Sequence, residues 1–240
     1  MPGKSSLAVA ISMLILLTGV LSAQDNSPVS VQNTSKIKLL RTDDFKHADI
    51  GNPAIAGTVT VSESGFDITA GGADVWGVRD EFSFVYVERA GDFDFAARVE
   101  SLTAAHLYTK AGLMAREDLT PGSRHIYFQI FPDNSPRNKN NGGFEFQYRE
   151  QAGAEMKAIY PARFEGTPDF PVTFPNTWIR LKRVGNKFTG YTGIDGKSWK
   201  EYATFTLSLP EKVYIGPAVT SHKTTEFTTA KFRSICSIVR

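Results

Sequence analysis

The sequence predicts an all-β protein, an antiparallel sandwich or barrel, and two observations support this prediction. Polar and apolar residues alternate with a period of two in GDFDFAARVESL, RHIYFQIFP, GFEFQYRE and TWIRLKRV, a pattern typical of half-buried antiparallel strands. Turn-forming pairs such as Pro121-Gly122 and Asp195-Gly196 separate these segments. Beyond the N-terminal apolar run, no segment of helix length shows a helical period. Many short strands between turns indicate a sandwich or a barrel.

Residues 1–23 have the features of a secretory signal peptide. Lys4 precedes the apolar run LAVAISMLILL, and small residues follow in LSAQ, which predicts cleavage after Ala23. The run is shorter than the roughly 20 apolar residues that a membrane-spanning helix needs. We therefore expect an exported protein, secreted or periplasmic, with no membrane contact after cleavage.

A polar segment follows the predicted signal peptide. It has no apolar periodicity up to about residue 35, and we predict a flexible leader over residues 24–42. The remaining residues, 43–240, are of a length that suits one β-sandwich domain.

Charge and cysteine content exclude several classes of partner and bond. The formal net charge is +2 and falls to +1 when the signal peptide and its Lys4 are removed. A balanced chain has neither the basic patch of a nucleic-acid-binding protein nor a polybasic membrane-binding segment. Cys236 is the only cysteine, so no disulfide forms within the chain. It lies in an apolar terminal segment, and we expect a buried, inert thiol.

The stretch GGADVWGVRDEFSFVY, residues 71–86, is the least generic in the chain. Its glycines allow backbone conformations that a side chain forbids. We interpret it as a structural signature, with Trp76 as a buried plug at a bent strand junction beside Gly77. Asp74 is placed to cap neighbouring turn amides.

Several motifs occur together in a recognisable order: DIGNPAIAG, GGADVWGVRDEFSFVY, KAGLMARED, FQYRE, WIRLKRVGNKFTGYTGIDGKSW and YIGPAVTSH. The set resembles the secreted bacterial modules of the concanavalin A-like lectin/glucanase superfamily, and more narrowly the regulation-of-enolase-like family of unknown function. The resemblance covers the chain from about Asp43 onward. It implies a two-sheet jelly-roll sandwich with one concave face. It implies no reaction, because the superfamily contains lectins, hydrolases, lyases and adhesion modules.

The sequence lacks the catalytic motifs of two enzyme classes that share this fold, the glucanases and the alginate lyases. Glucanases of this fold carry alternating acids on one strand, and here Glu145 is followed by Gln147 and Arg149. Alginate lyases carry a Gln-Ile-His strand, and the similar segment YFQIF ends in Phe131. We therefore expect a non-catalytic module. A polysaccharide-active enzyme with another catalytic set, and a protein-binding or adhesion module, remain alternatives.

The polar faces of four predicted strands are the candidate binding site if those strands share a sheet. They combine amides, guanidinium groups, an imidazole and aromatic rings, a mixture that suits the hydroxyls and apolar faces of a glycan. An ordinary solvated sheet face with weak cross-strand ion pairs explains the same pattern. The candidate residues are Lys110, Arg116, His125, Tyr127, Gln129, Glu145, Gln147, Arg149 and Trp178.

No cofactor is expected, and calcium is the one metal that the sequence allows. Concanavalin A-like sandwiches often hold a calcium ion in loop carboxylates, and Asp43, Asp44 and Asp49 are candidates. Their spacing matches no defined calcium loop. His106 has no partner at metal-ligand spacing, and His222 is interpreted as a strand-end hydrogen-bonding residue. The sequence leaves the oligomeric state open.

Overall fold

A computed structural model of the protein describes residues 36–137, 142–161 and 168–239, together with Met1 and Gly3. Over these residues the chain is an all-β sandwich of two antiparallel sheets, which confirms the predicted jelly-roll class. The predicted signal peptide and most of the predicted leader lie outside the described residues. Within the described part, no helix is long and apolar enough to cross a membrane.

Sheet 1 is formed by strands from both ends and the middle of the chain. In spatial order it contains β15 (Lys200–Thr206), β14 (Lys187–Gly193), β13 (Thr177–Val184), β8 (Phe93–Leu102), β17 (Thr228–Val239), β4 (Gly65–Ala70) and β3 (Thr58–Ser62). An additional strand, β1 (Lys36–Leu39), pairs with the last residues of β17. A single 3-10 turn, Thr42–Asp44, follows β1.

Sheet 2 carries the predicted binding strands. In spatial order it contains β12 (Lys157–Ile159), β11 (Phe144–Arg149), β10 (His125–Ile130), β9 (Lys110–Arg116), β16 (Lys212–Thr220), β7 (Phe82–Ala90) and β2 (Lys46–Ile50). A separate two-stranded hairpin, β5 (Val75–Trp76) with β6 (Arg79–Asp80), precedes β7.

The core lies between the two sheets and follows from the alternation in the sequence. On β10, Ile126 and Phe128 face sheet 1, while the residues between them face away from it. Gly190 on β14 lies against the Phe128 and Phe146 rings, where an added Cβ would come within 2.9 Å of both. The glycine therefore allows the two sheets to pack closely at this point.

The ordered domain begins earlier than the predicted boundary at residue 43. Lys36–Leu39 pair in antiparallel register with β17, and the Leu40 amide donates to the Ile235 carbonyl over 2.9 Å. Residues 36–42 of the predicted leader therefore belong to the sandwich. The strand is only four residues long and all four are exposed, so local sequence gives little sign of it, and it is stabilised by pairing with the far end of the chain.

Cys236 lies opposite Leu39 in this pairing and is buried, as predicted. Burial raises the pKa of its thiol to about 11. The thiol is therefore protonated at neutral pH and is a poor nucleophile.

Removing residues up to 42 is expected to destabilise the domain. A chain that starts at residue 43 lacks the β1 ladder, and each backbone hydrogen bond contributes roughly 1 kcal/mol. We expect the free energy of unfolding to fall by a few kcal/mol relative to a chain that starts at residue 34, measured by urea unfolding. Equal stability of the two chains would contradict a structural role for β1.

Candidate functional site

The strand register brings eight of the nine predicted binding residues to one face of sheet 2, the face that points away from sheet 1. His125 lies between Arg116 on β9 and Arg149 on β11, and Tyr127 and Gln129 lie opposite Gln147 and Glu145. Lys110 lies on the same face by alternation along β9. We call this surface the outer face of sheet 2. All eight of these residues are 0–5 % exposed, so each presents little or no surface to solvent.

Trp178 does not belong to this group. It lies on β13 in sheet 1, where its ring makes an edge-to-face contact with Trp199 at 6.2 Å between centroids. Alternation along a strand indicates which residues share a face, but not which sheet the strand joins. The prediction that Trp178 shares a surface with the other eight residues was therefore wrong.

A second apolar cluster fills the middle of the outer face. Tyr127 and Met114 pack there with Phe82, Phe84 and Val75, and all five are buried. The Tyr127 hydroxyl donates a hydrogen bond to the Ala218 carbonyl over 2.9 Å. Tyr127 is therefore a core residue with a satisfied hydroxyl, and its ring is not accessible to a ligand.

A buried ion cluster occupies one end of the outer face, centred on Asp80. Arg149 binds the Asp80 carboxylate in a bidentate pair, with both N–O distances 2.8 Å. Arg116 Nη2 and His125 Nδ1 each lie 3.6 Å from Asp80 Oδ2. All four side chains have no exposed surface.

The remaining donors of this cluster hold loops onto the sheet. Arg149 donates to the carbonyls of Gly77 and Ala154, both over 2.9 Å, and Arg116 Nε donates to the Asp118 carbonyl over 2.6 Å. Arg116 and Arg149 are thus fully used by protein acceptors. They act as structural clamps in this arrangement, and no ligand reaches them.

Burial changes the charge states within the cluster. It lowers the pKa of Arg116 to about 10, against the attraction of Asp80, and lowers the pKa of His125 to about 4. At neutral pH the guanidinium group is therefore charged and the imidazole is neutral. The His125 ring lies 3.0 Å from the Ser123 carbonyl through Nδ1, which therefore carries the proton.

The other end of the outer face is open and contains a cavity of about 260 Å³. We call it the Trp76 cavity. Three of the predicted residues, Lys110, Glu145 and Gln147, line it. Gln129 lies behind Glu145, with its amide nitrogen 3.5 Å from Glu145 Oε1. The full lining is Asp74, Trp76, Tyr108, Lys110, Glu145, Gln147, Tyr160 and His222.

The β5–β6 hairpin forms one wall of this cavity. Its geometry differs from the prediction that Trp76 is a buried plug. Val75 is the buried plug, with no exposed surface, whereas Trp76 is 40 % exposed. Neighbouring residues of a strand point to opposite sides, so only one of the two can face the sheet. Gly77 follows in a left-handed conformation with φ of 60°. Asp74 does accept from the Val75 amide over 2.7 Å, as a capping residue would.

Asp74 also forms ion pairs that link the hairpin to sheet 2 and to the loop after β16. Its Oδ1 accepts from Lys110 Nζ over 2.6 Å, and its Oδ2 lies 3.0 Å from His222 Nδ1. Burial opposes ionisation of Asp74, but Lys110 and His222 outweigh it and lower the pKa of its carboxyl. The His222 ring stacks on His106 at 4.4 Å between centroids. Burial and the nearby His222 lower the pKa of His106.

Glu145 is the second carboxyl group of the cavity and lies on its floor. Gln147 and Gln129 both donate amide protons to its Oε1, and Tyr160 forms a side-chain hydrogen bond with it. Burial raises the pKa of Glu145, while Lys110 and Gln147 act in the opposite direction. Two carboxyl groups with pKa values shifted in opposite directions therefore line one cavity.

The structure includes five lining residues that were not predicted to bind a ligand: Asp74, Trp76, Tyr108, Tyr160 and His222. Tyr108, Tyr160 and His222 lie in loops just outside strand ends. Strand alternation carries no information about such positions. The sequence predicted structural roles for Asp74 and Trp76, but the orientation of their side chains depends on the hairpin.

The candidate calcium ligands do not form a cluster. Asp49 accepts from the Gly57 amide over 2.8 Å and from the Ser83 hydroxyl over 2.5 Å. Asp43 and Asp44 lie in the exposed 3-10 turn, and Asp43 Oδ2 is 3.6 Å from Arg41 Nη2. In the part of the chain that the structure describes, no three His, Cys, Asp or Glu side chains are arranged to hold a metal ion.

The Asp80→Asn substitution is expected to destabilise the domain strongly. It leaves two buried guanidinium groups without their counter-ion, which typically costs about 3–5 kcal/mol. The matched control is Glu117→Gln, which breaks the partly exposed pair with Arg124 and should cost less than about 1 kcal/mol. Urea unfolding measures both. A loss below about 1 kcal/mol in Asp80→Asn would contradict the role of the cluster.

Comparison with known proteins identifies the fold. No protein-family model matches the sequence, and no curated protein sequence matches it. A functionally unknown protein from Saccharomyces cerevisiae is similar with a TM-score of 0.61 at 15 % identity, over 84 % of this chain and 99 % of the yeast chain. Xylan β-1,4-xylosidase from Bacillus halodurans C-125 has a TM-score of 0.54 at 11 % identity, over 76 % of this chain but 34 % of the xylosidase.

A third similar structure is the exoplasmic/lumenal domain of VIP36 with Ca²⁺ and Man3GlcNAc bound. Its TM-score is 0.50 at 12 % identity, and the match covers 85 % of this chain and 86 % of that one. At such identities the similarity shows the fold alone. The chain has the β-sandwich fold that lectins and carbohydrate-active proteins share.

Proposed function

We propose that this protein is an exported carbohydrate-binding module and that the Trp76 cavity holds one sugar ring. The observation that supports this most is the composition of the cavity. Aromatic rings of Trp76, Tyr108 and Tyr160 stand beside buried polar groups of Lys110 and Glu145. Sugar rings pack their apolar faces on aromatic side chains and bond their hydroxyls to fixed polar groups.

The size of the cavity suits a small ligand. Its volume of about 260 Å³ lies just below the roughly 300–1,000 Å³ of pockets that enclose drug-sized molecules. The rest of the outer face is filled by the second apolar cluster and the Asp80 cluster. The proposed ligand is therefore a single sugar unit, which can be the end or a side branch of a longer glycan.

The fold and the N-terminal sequence add support to this proposal. The VIP36 domain, a similar sandwich, was solved with Man3GlcNAc bound. The proposal of export depends on the signal-peptide pattern of residues 1–23. The narrower resemblance to the regulation-of-enolase-like family suggests no ligand, because that family is of unknown function.

Tryptophan fluorescence offers a direct test of glycan binding. The chain has three tryptophans, and only Trp76 lines the cavity. We expect a glycan that binds on an array to change the fluorescence of the wild-type protein. Trp76→Ala should weaken its binding by about ten-fold, or about 1.4 kcal/mol, as measured by calorimetry.

The matched control for this test is Trp199→Ala, which removes a half-buried tryptophan from the loop between β14 and β15. It should leave the affinity unchanged. Thermal unfolding of both variants verifies that they are folded. A wild-type protein that binds no glycan on the array, or a Trp76→Ala variant with full affinity, would disprove the proposal.

Glycoside hydrolysis is the second candidate function, and the two carboxyl groups of the cavity favour it. Glycosidases use one carboxylic acid to protonate the leaving group and one carboxylate as nucleophile or base. Here the pKa of Glu145 is raised and that of Asp74 is lowered, which is how such roles are divided. Glu145 would be the acid and Asp74 the carboxylate.

Hydrolysis of a panel of nitrophenyl glycosides and oligosaccharides tests this second candidate. Glu145→Gln should lower any observed rate by about a hundred-fold or more, since general acid catalysis contributes that much. Glu117→Gln, which alters a carboxyl group outside the cavity lining, should retain the rate. Absence of turnover by the wild-type protein across the panel counts against an enzyme and leaves the binding proposal intact.

A further inference from the structure

We infer that the Trp76 cavity selects uncharged pyranoses and excludes sugars that carry a carboxylate. This inference rests on the proposed function and adds the chemical class of the ligand. It follows from which hydrogen-bonding atoms of the cavity are already used and which remain available.

The polar nitrogens of Lys110 and Gln147 on the cavity floor, and of Gln129 behind it, all donate to protein acceptors. Lys110 Nζ donates to Asp74 Oδ1 over 2.6 Å and to the Val75 carbonyl over 3.1 Å. Its ammonium group also lies 5.5 Å from the centroid of the Trp76 ring. The amide nitrogens of Gln147 and Gln129 both donate to Glu145. A negatively charged ligand would have to compete with Asp74 and Glu145 for these donors.

Acceptors without a hydrogen-bond partner lie on the cavity floor and behind it. Gln147 Oε1 and Gln129 Oε1 are buried atoms without a hydrogen-bond partner. Their orientation follows from Glu145, because each amide turns its nitrogen towards that carboxyl group and its oxygen away from it. A buried acceptor without a partner is costly. Gln147 lines the cavity, so a ligand hydroxyl that displaces the atoms covering its oxygen would remove this cost.

The charged residues of the lining also disfavour a negatively charged ligand. Among the described residues that line the cavity, Asp74 and Glu145 are carboxylic acids, Lys110 is the single Lys or Arg, and His222 lies against Asp74. Lys110 is 2 % exposed and already paired with Asp74. Charges at such buried positions are screened little by salt. A ligand carboxylate would therefore have to compete with Asp74 for Lys110, and it would be repelled by Glu145 wherever that group is ionised.

An uncharged sugar ring satisfies each of these conditions. Its hydroxyls donate to carboxylate and amide oxygens, and it brings no negative charge. The rings of Trp76, Tyr108 and Tyr160 provide surfaces for its apolar face.

Matched sugars test the inference. The probes are the methyl glycosides of glucose, galactose and mannose and the corresponding methyl glycuronides, which differ only in a carboxylate at C6. Affinities for the full mature chain are measured by calorimetry or ligand-observed NMR. For each neutral glycoside that binds, we expect the glycuronide to bind at least about ten-fold more weakly, a difference of about 1.4 kcal/mol. A glycuronide that binds as tightly as its neutral partner, or more tightly, overturns the inference while the proposed function stands.

A variant tests whether the cavity itself causes the weaker binding of sugars that carry a carboxylate. Glu145→Gln removes one acid while keeping its shape, and it should reduce the preference for the neutral sugar several-fold. Glu117→Gln removes a carboxyl group elsewhere and should leave the preference unchanged. If neither the methyl glycosides nor a glycan array shows binding, the proposed function and this inference fail together.

Discussion

The buried pair between Asp80 and Arg149 is the interaction on which the rest of this architecture depends. A bidentate pair without solvent exposure contributes little net stability by itself, since removing both charges from water is costly. The main effect of the pair is to fix the position of the hairpin. Asp80 belongs to the β5–β6 hairpin, whereas Arg149 ends β11, so the pair fixes the hairpin onto the outer face of sheet 2. Arg149 also holds the carbonyls of Gly77 and Ala154, and three separate segments are thereby ordered together.

The fixed hairpin divides the outer face into two parts. Val75 closes over the second apolar cluster, while Asp74 and Trp76 extend to the open end and form a wall of the Trp76 cavity. A sheet face that would otherwise be a broad solvated surface becomes one small cavity with buried polar groups. Stability and the candidate binding site are therefore coupled through seven consecutive residues, from Asp74 to Asp80.

Much of the fold could be predicted from the sequence, but the site could be predicted only in part. Period-two alternation placed Glu145 and Gln147 on one face of a predicted strand, and the register of β9, β10 and β11 brings Lys110 and Gln129 to the same face. The same alternation gave Arg116, His125, Tyr127 and Arg149 as ligand-binding candidates, although all four are enclosed by protein. Alternation indicates on which face of a strand each residue lies. It does not report whether that face is covered by a loop, and covering decides whether a polar residue binds a ligand or a neighbouring side chain.

The sequence by itself determined the class of fold, the two-sided pattern of each strand and the buried thiol of Cys236, because these depend on local spacing and composition. Only the tertiary structure decided that Trp178 lies in the other sheet, that residues 36–39 pair with the end of the chain, and that Trp76 rather than Val75 faces the cavity. It also decided that Asp74 and Glu145, far apart in the sequence, line one cavity. Each of these outcomes depends on contacts between distant segments, and the free energy of such contacts is not encoded in any single stretch of residues.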